Sequence, residues 1–260
     1  MQIAYIGVPI ALGADRKGVE LAPDFFRNEG VVKMLDHICG CYDLGNVQSS
    51  IIAEEKHAAD PAVKYLSTIV DISSQLRDKV ASVIRQGYFP LIVGGDHSLG
   101  LGSVAGAALA YNDIAVIWFD AHGDFNTEET SPTGNLHGMP AAAAMGWCKS
   151  ELSSVATKTI PPRNFFWIGA RDLDEGEKAF AEKTICIFIR QKMFAKEACL
   201  MLWMRLYKSC SQTASRISIL VLILMEWILL SFVVQEQKSI EELIMVNSIL
   251  LLIRFSLQTK

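Results

Sequence analysis

At 260 residues the chain is long enough for one large α/β domain with a substantial core. A formal net charge of −4 gives no electrostatic reason to expect nucleic acid or an anionic membrane as a partner. The six cysteines, at 39, 41, 148, 186, 199 and 210, show neither metal spacing nor a disulfide framework, and read as reduced thiols of a cytoplasmic protein.

The start, Met1 to Pro9, has no basic segment before its apolar run and reads as a first buried strand over residues 3–9 rather than a signal peptide. A glycine-bounded loop, Gly13 to Gly18, follows, and Ala22-Pro23-Asp24 opens a short helix. Tyr42 to Val47 reads as a second strand and turn. From Ala59 a long helix is expected through Arg85, because Val63, Leu66, Ile69, Val70, Ile72, Leu76, Val80 and Ile84 recur at helical spacing as a core-facing stripe. Gly87 ends it, and Pro90-Leu91-Ile92-Val93 runs as a strand into Gly94-Gly95-Asp96-His97-Ser98. Leu99 to Ala110 is small and apolar, a helix able to pack close under a sheet. Ile114 to Phe119 is the next strand, Leu136 to Gly146 a further helix, and Asn164 to Gly169 a strand that delivers Arg171 to Glu177. This alternation predicts a parallel sheet with helices on both faces.

Two of these strands run straight into residues of metal-ligand type. Continuous apolar runs suit strands covered on both faces, and ligands at their carboxyl ends lie where such folds place their sites. Asp120-x-His122-x-Asp124 alternates, so on a locally extended segment the three side chains point the same way, with His97 expected from the neighbouring strand. Alone, an Asp-x-His could be a structural hydrogen-bond pair. Two imidazoles with two or three carboxylates suit Mn or Zn far better than Ca or Mg.

Gly94-Gly95-Asp96-His97-Ser98, Asp120-Ala121-His122-Gly123-Asp124-Phe125-Asn126, Gly134-Asn135-Leu136-His137-Gly138 and Arg171-Asp172-Leu173-Asp174-Glu175-Gly176-Glu177 together resemble the ureohydrolases, the last two motifs arginases in particular. The resemblance covers about residues 1–183. It implies a three-layer α/β arginase-like fold, a central parallel sheet with helices on both faces, its C-terminal strands incomplete here. It also implies hydrolysis of L-arginine to L-ornithine and urea. A guanidinium is a poor electrophile and neutral water a poor nucleophile; two adjacent divalent ions address the second problem by holding hydroxide at neutral pH. By resemblance, His97, Asp120, His122 and Asp124 are four of six protein ligands to a pair of Mn2+ ions. His137 matches a proton shuttle to the leaving amine; viewed alone it is a histidine satisfied at a helix start. Asn126, Thr133 and Asn135 match positions that bind the substrate's α-carboxylate, with Thr133 where the family more often has Ser. Asp174 and Glu177 match carboxylates that receive the α-amino group, which favours arginine over agmatine; viewed alone they are a solvated helix N-terminus well placed for the helix dipole. The resemblance also implies a homo-oligomer, usually a trimer or hexamer.

The resemblance stops abruptly, which divides the chain into an arginase-like part, 1–183, and an out-of-family apolar tail, 184–260. All 18 Gly and 8 Pro lie at or before Gly176; from Glu177 to Lys260 there is no Gly, Pro, Asp or His. The family's last two metal ligands come from a later Asp-x-Asp, and this chain has no Asp after 174. At the expected distance stands Ile219 to Leu230. Read two bases later, Met225-Glu226 must encode Gly and Trp227-Ile228 must encode Asp, and synonymous codons elsewhere permit Leu-Ser-Leu-Asp-Leu-Asp-Gly-Met-Asp-Pro-Ser. A frame slip near Lys183–Ile185 accounts for the tail. The rival reading takes Ile217 to Val234 as a membrane span, with weak flanking cues in Arg205, Lys208, Arg216 and Lys238, although Glu226 would be costly inside it. Without the Asp-x-Asp the site would lose a bridging carboxylate, and without turn residues the tail is expected not to supply the missing strands. The chain as written is therefore expected to fold poorly and to show little or no activity. An agmatinase-like enzyme, or a non-catalytic or membrane-tethered derivative of the scaffold, are the alternatives.

Overall fold

The computed structural model describes residues 2–14, 16–49, 61–149 and 151–184, together with the backbone of 187–189, 218–225 and 228–234. The slip position at Ile185, the cysteines at 186, 199 and 210, the Glu226-Trp227 pair and the charged flanks of the apolar run lie outside those residues.

Eight strands form one sheet: β1 (Ile3–Val8), β2 (Cys41–Asn46), β3 (Phe89–Gly94), β4 (Ile114–Phe119), β5 (Phe165–Ile168), β6 (Ile187–Ile189), β7 (Ser218–Met225) and β8 (Ile228–Val234). Their spatial order is β2-β1-β3-β8-β7-β4-β5-β6. All pairings are parallel except those of β8, which runs antiparallel to both β3 and β7. The cause is the link: two residues separate β7 from β8, enough for a hairpin and far too few for the crossover that a parallel neighbour needs. The tail thus does supply strands, contrary to expectation. A strand interior requires apolar, β-compatible residues beside free backbone edges, and Ser218–Met225 and Ile228–Val234 meet that requirement without glycine or proline. The same segments are strands of the sheet, not a transmembrane helix, and among the described residues no helix is long and apolar enough to cross a membrane.

Helices cover both sides of the sheet. Helices α1 (Ala22–Asn28) and α2 (Val31–Cys39) pack beside β1, while α3 (Leu66–Arg85) and α4 (Gly100–Ala110) pack on each other, α4 also meeting β4, β7 and β8. In α3 the expected stripe is inside: Ile69, Ile72, Leu76, Val80 and Ile84 are buried. The helix begins at Leu66 rather than Ala59 because Tyr65 has φ 55, a left-handed conformation that no helix interior accepts. The small residues of α4 serve its approach to α3: a Cβ on Gly102 would lie 2.6 Å from Ser73 O, and one on Gly106 2.7 Å from Arg77 O. The helix expected over 136–146 is interrupted, with a 3-10 turn at Leu136–Gly138, then Met139 at φ −122, then α5 (Pro140–Ala144). Pro140 explains the break, since the residue before a proline is driven off the α conformation. Helix α2, bracketed by Gly30 and Gly40 at φ 78 and 79, was not anticipated. The last helix, α6, spans Glu175–Lys183.

One consequence of the strand order governs the site. β3 and β4 are not neighbours; β8 and β7 lie between them. Three strand spacings put the two ligand-bearing strands about 14 Å apart, so His97 does not come from the adjacent strand. It reaches across on the 3-10 turn His97–Leu99 that follows β3.

Candidate metal centre

That turn is fixed by Asp96, whose Oδ2 accepts the Gly13 N–H at 2.8 Å and whose Oδ1 accepts the Ser98 N–H at 2.9 Å. Asp96 is thereby committed to backbone and adds no third carboxylate to the ligands, while burial pushes its carboxyl up. Gly95 is required by close approach, because a Cβ there would stand 1.7 Å from Ile10 O. On the far side, β4 ends at Phe119 and the chain bends through residues 120–122 instead of continuing extended. Asp124 then adopts φ 54, rare for a residue with a side chain.

The result separates the residues that the alternation placed together. His97, Asp120 and Asp124 are all buried, and each offers a donor atom within 4.8 Å of the others. His97 Nδ1 is 3.0 Å from Asp120 Oδ2 and lies against Asp124 Oδ2. Neither ring nitrogen of His97, nor Asp120 Oδ2, has a hydrogen bond of acceptable geometry among the described residues. Asp120 Oδ1 accepts the His122 N–H at 3.1 Å, and Trp118 Nε1 donates to Asp124 Oδ2 at 3.2 Å. The His122 side chain is 52% exposed and outside the group, its Nδ1 3.3 Å from Asp120 Oδ1 and its Nε2 3.7 Å from Asp172 Oδ2.

Electrostatics follow from this packing. Burial alone would depress His97, but the Asp124 and Asp120 carboxylates hold it up to about 10. His122, hydrogen-bonded to Asp120, is raised to about 9. Asp120 is pushed up by burial yet ends well below the usual carboxylate range, because both histidines stabilise its charge. Asp124 is raised, burial outweighing the nearby His97. Two buried carboxylates and an imidazole crowd together with unsatisfied atoms, an arrangement that is costly by itself and relieved by a divalent ion. Nitrogen and carboxylate oxygen donors are the set that Mn and Zn accept.

The remaining expected residues line the same cavity of about 530 Å³, with His137, Asn126, Thr133, Asn135, Asp174 and Glu177 around the three ligands. The His137 N–H donates to Gly13 O at 3.0 Å. Asn126 Nδ2 donates to Asp174 Oδ2 at 2.5 Å, and its Oδ1 accepts from the Thr130 hydroxyl at 2.8 Å. The Thr133 hydroxyl accepts the Asn135 N–H at 3.2 Å. Asp174 and Glu177 form a capping box at the start of α6, Asp174 Oδ1 accepting the Glu177 N–H and Glu177 Oε2 accepting the Asp174 N–H. The helix-terminus reading of this pair is therefore correct, except that Glu177 is buried rather than solvated. Sequence reasoning overlooked Lys64, whose ammonium donates to Asn135 Oδ1 at 2.9 Å across 71 positions, and Asp172, which faces His122. Nothing local marks Lys64, while Asp172 lies within the motif Arg171 to Glu177.

A mostly parallel α/β sheet with an imidazole–carboxylate donor cluster at its strand ends defines a class of metal-site proteins. Within that class, comparison with known proteins places it: the profile of the Arginase family matches residues 1–205, and the chain belongs to that family. It is 40% identical over 190 residues to the arginase of Bacillus caldovelox, covering 72% of this chain and 64% of that protein. The native structure of that arginase at pH 5.6 superposes with a TM-score of 0.75 at 33% identity, covering 83% of this chain and 73% of that one. Entamoeba histolytica arginase in complex with L-ornithine gives 0.68 at 30% identity, covering 82% and 72%. The chain thus spans a little under two thirds of the length of the curated relative it matches.

Proposed function

We propose that the site is that of an amidine hydrolase converting L-arginine and water to L-ornithine and urea, built to hold Mn2+ in a cytoplasmic enzyme. The observation that carries this reading is the donor group of His97, Asp120 and Asp124, buried and mutually close in the wall of a cavity, with both His97 nitrogens and Asp120 Oδ2 lacking hydrogen bonds among the described residues. When bound, divalent ions supply water deprotonated at neutral pH. The chain's own residues do the rest. Asn126, Thr133 and Asn135 hold the α-carboxylate, with Asn135 steadied by Lys64. Asp174 and Glu177 receive the α-ammonium, so a substrate lacking the carboxylate loses half of its anchoring. Water oxygen bonds to the guanidinium carbon and becomes the urea oxygen, the bond from that carbon to the substrate's Nε breaks, and both water protons end on the leaving nitrogen, one of them passed by His137. Free thiols at Cys39, Cys41 and Cys148 support a reducing compartment.

The tail bears on activity through register. β7 pairs directly with β4, Trp118 opposite Leu222 and Phe119 opposite Ile223. The two aspartates of the shifted reading span codons 222–223 and 224–225, so they fall at this strand's end beside Asp120. That coincidence supports a frame slip near residues 183–185, and the coding DNA across codons 175 to 235 tests it. Urea release should be measured with added Mn2+ for the chain as written and for a frame-corrected chain. The corrected chain is expected to act on L-arginine far faster than on agmatine, and the chain as written at least about a hundredfold more slowly. A corrected chain inactive on arginine would refute the activity. A written chain as fast as a full-length arginase would refute the part assigned to the slip.

A further inference from the structure

We infer that this chain binds a single divalent ion, held by His97, Asp120 and Asp124, instead of the pair for which its family's site is built. The inference rests on the amidine-hydrolase reading for its choice of manganese, and on the geometry of this chain for the count.

The His97 side chain is only 4% exposed, its Nδ1 is directed at both carboxylates, and both ring nitrogens lack hydrogen bonds among the described residues. One ion satisfies that nitrogen and both acids, and its two positive charges balance their two negative ones. A second ion has no comparable berth. His122 is half-exposed, with Nδ1 3.3 Å from Asp120 Oδ1 and Nε2 3.7 Å from Asp172 Oδ2, and it stands outside the donor group. Asp96 is occupied by two backbone N–H groups, and Asp174 and Glu177 stand outside the donor group. The strand flanking β4 on the side of His97 is β7, which continues through Leu224 and Met225 past its last pairing with β4. No residue from Ser218 to Met225 is a carboxylate or an imidazole. A second ion would share Asp120 and hold His122, with only the exposed and solvent-screened carboxylate of Asp172 near it to offset a repulsion four times that between unit charges at the same distance.

The test uses the full chain, stripped of metal by chelation and loaded with Mn2+. Elemental analysis is expected to give one Mn per chain, and electron paramagnetic resonance the six-line spectrum of an isolated ion without exchange coupling. His97→Ala and Asp124→Asn are expected to weaken Mn2+ binding by more than about 100-fold. His122→Ala, at a half-exposed side chain, is expected to change it by less than about threefold, with circular dichroism reporting the fold of each variant. The frame-corrected chain should bind two ions with a coupled spectrum. Two coupled ions in the chain as written would overturn the inference, as would a single ion lost on His122→Ala and retained on His97→Ala. A corrected chain that also binds only one ion would overturn the part given to β7. No Mn bound by the written chain would overturn the count, while urea release by the corrected chain would still decide the activity separately.

Discussion

Burial, with Asp124 and Asp174 close by, pushes the Glu177 carboxyl up to about 7 from an ordinary 4.5. The folded chain therefore keeps a proton that the unfolded chain has released, so stability falls as pH rises from about 4.5 to about 7. By linkage a shift of this size is worth up to roughly 3 kcal/mol. In metal-free protein, Glu177→Gln should flatten this part of the profile and raise stability at pH 8 by about 1–2 kcal/mol. Chemical denaturation at several pH values, in chelator, measures it; identical slopes for the two proteins would show that Glu177 is ionised in the fold. At this scale the sequence was informative where chemistry follows a strand immediately. Asp120, Asp124 and His97 belong to short strand-to-loop phrases, and the structure brings them together. The direction of each side chain was not legible. Alternation implied one face for Asp120, His122 and Asp124, but a left-handed Asp124 and a bend at 120–122 turned His122 aside. Lys64 was invisible because its partner is 71 positions away.

Among elements, the β7–β8 hairpin is not legible in the sequence, for a physical reason. An unbroken apolar run has no period to distinguish a strand covered on both faces from a membrane helix. No glycine, asparagine or proline marks the link at Glu226-Trp227, so the sequence carries no turn signal there. Val221 pairs with Ile117 on one side and Phe232 on the other, so it is interior to the sheet. Val221→Pro removes an N–H from the ladder in a strand with two neighbours, and should cost on the order of 3 kcal/mol. A thermal scan would show a fall of many degrees, whereas an unchanged midpoint would place residue 221 outside the sheet. Helix α3, by contrast, was legible along its stripe, and only its start was misplaced by the left-handed Tyr65.

For the whole molecule, the sheet consists of two groups, β2-β1-β3 and β4-β5-β6, joined through β8 and β7. Fold class and helix layers were readable from the alternation of the first 183 residues. The order was not, because strand neighbours are set by long-range pairing that no local pattern encodes. If the hairpin is the junction, amide hydrogens of residues 218–234 should exchange only with global unfolding, in step with those of β3 and β4. Rapid exchange in the hairpin alongside full protection of β3 and β4 would mean that the sheet closes without it.

The antiparallel seating of β8 reaches beyond architecture. Ladder bonds are made by main-chain groups common to every residue, so the slot between Phe89–Gly94 and Ile114–Phe119 admits an oily segment whatever message encoded it. Occupying that slot hides two adhesive margins that would otherwise recruit other chains into aggregates. A change of reading phase in such a gene would then alter the residues at that strand's end while the main-chain pairing across the slot stays filled.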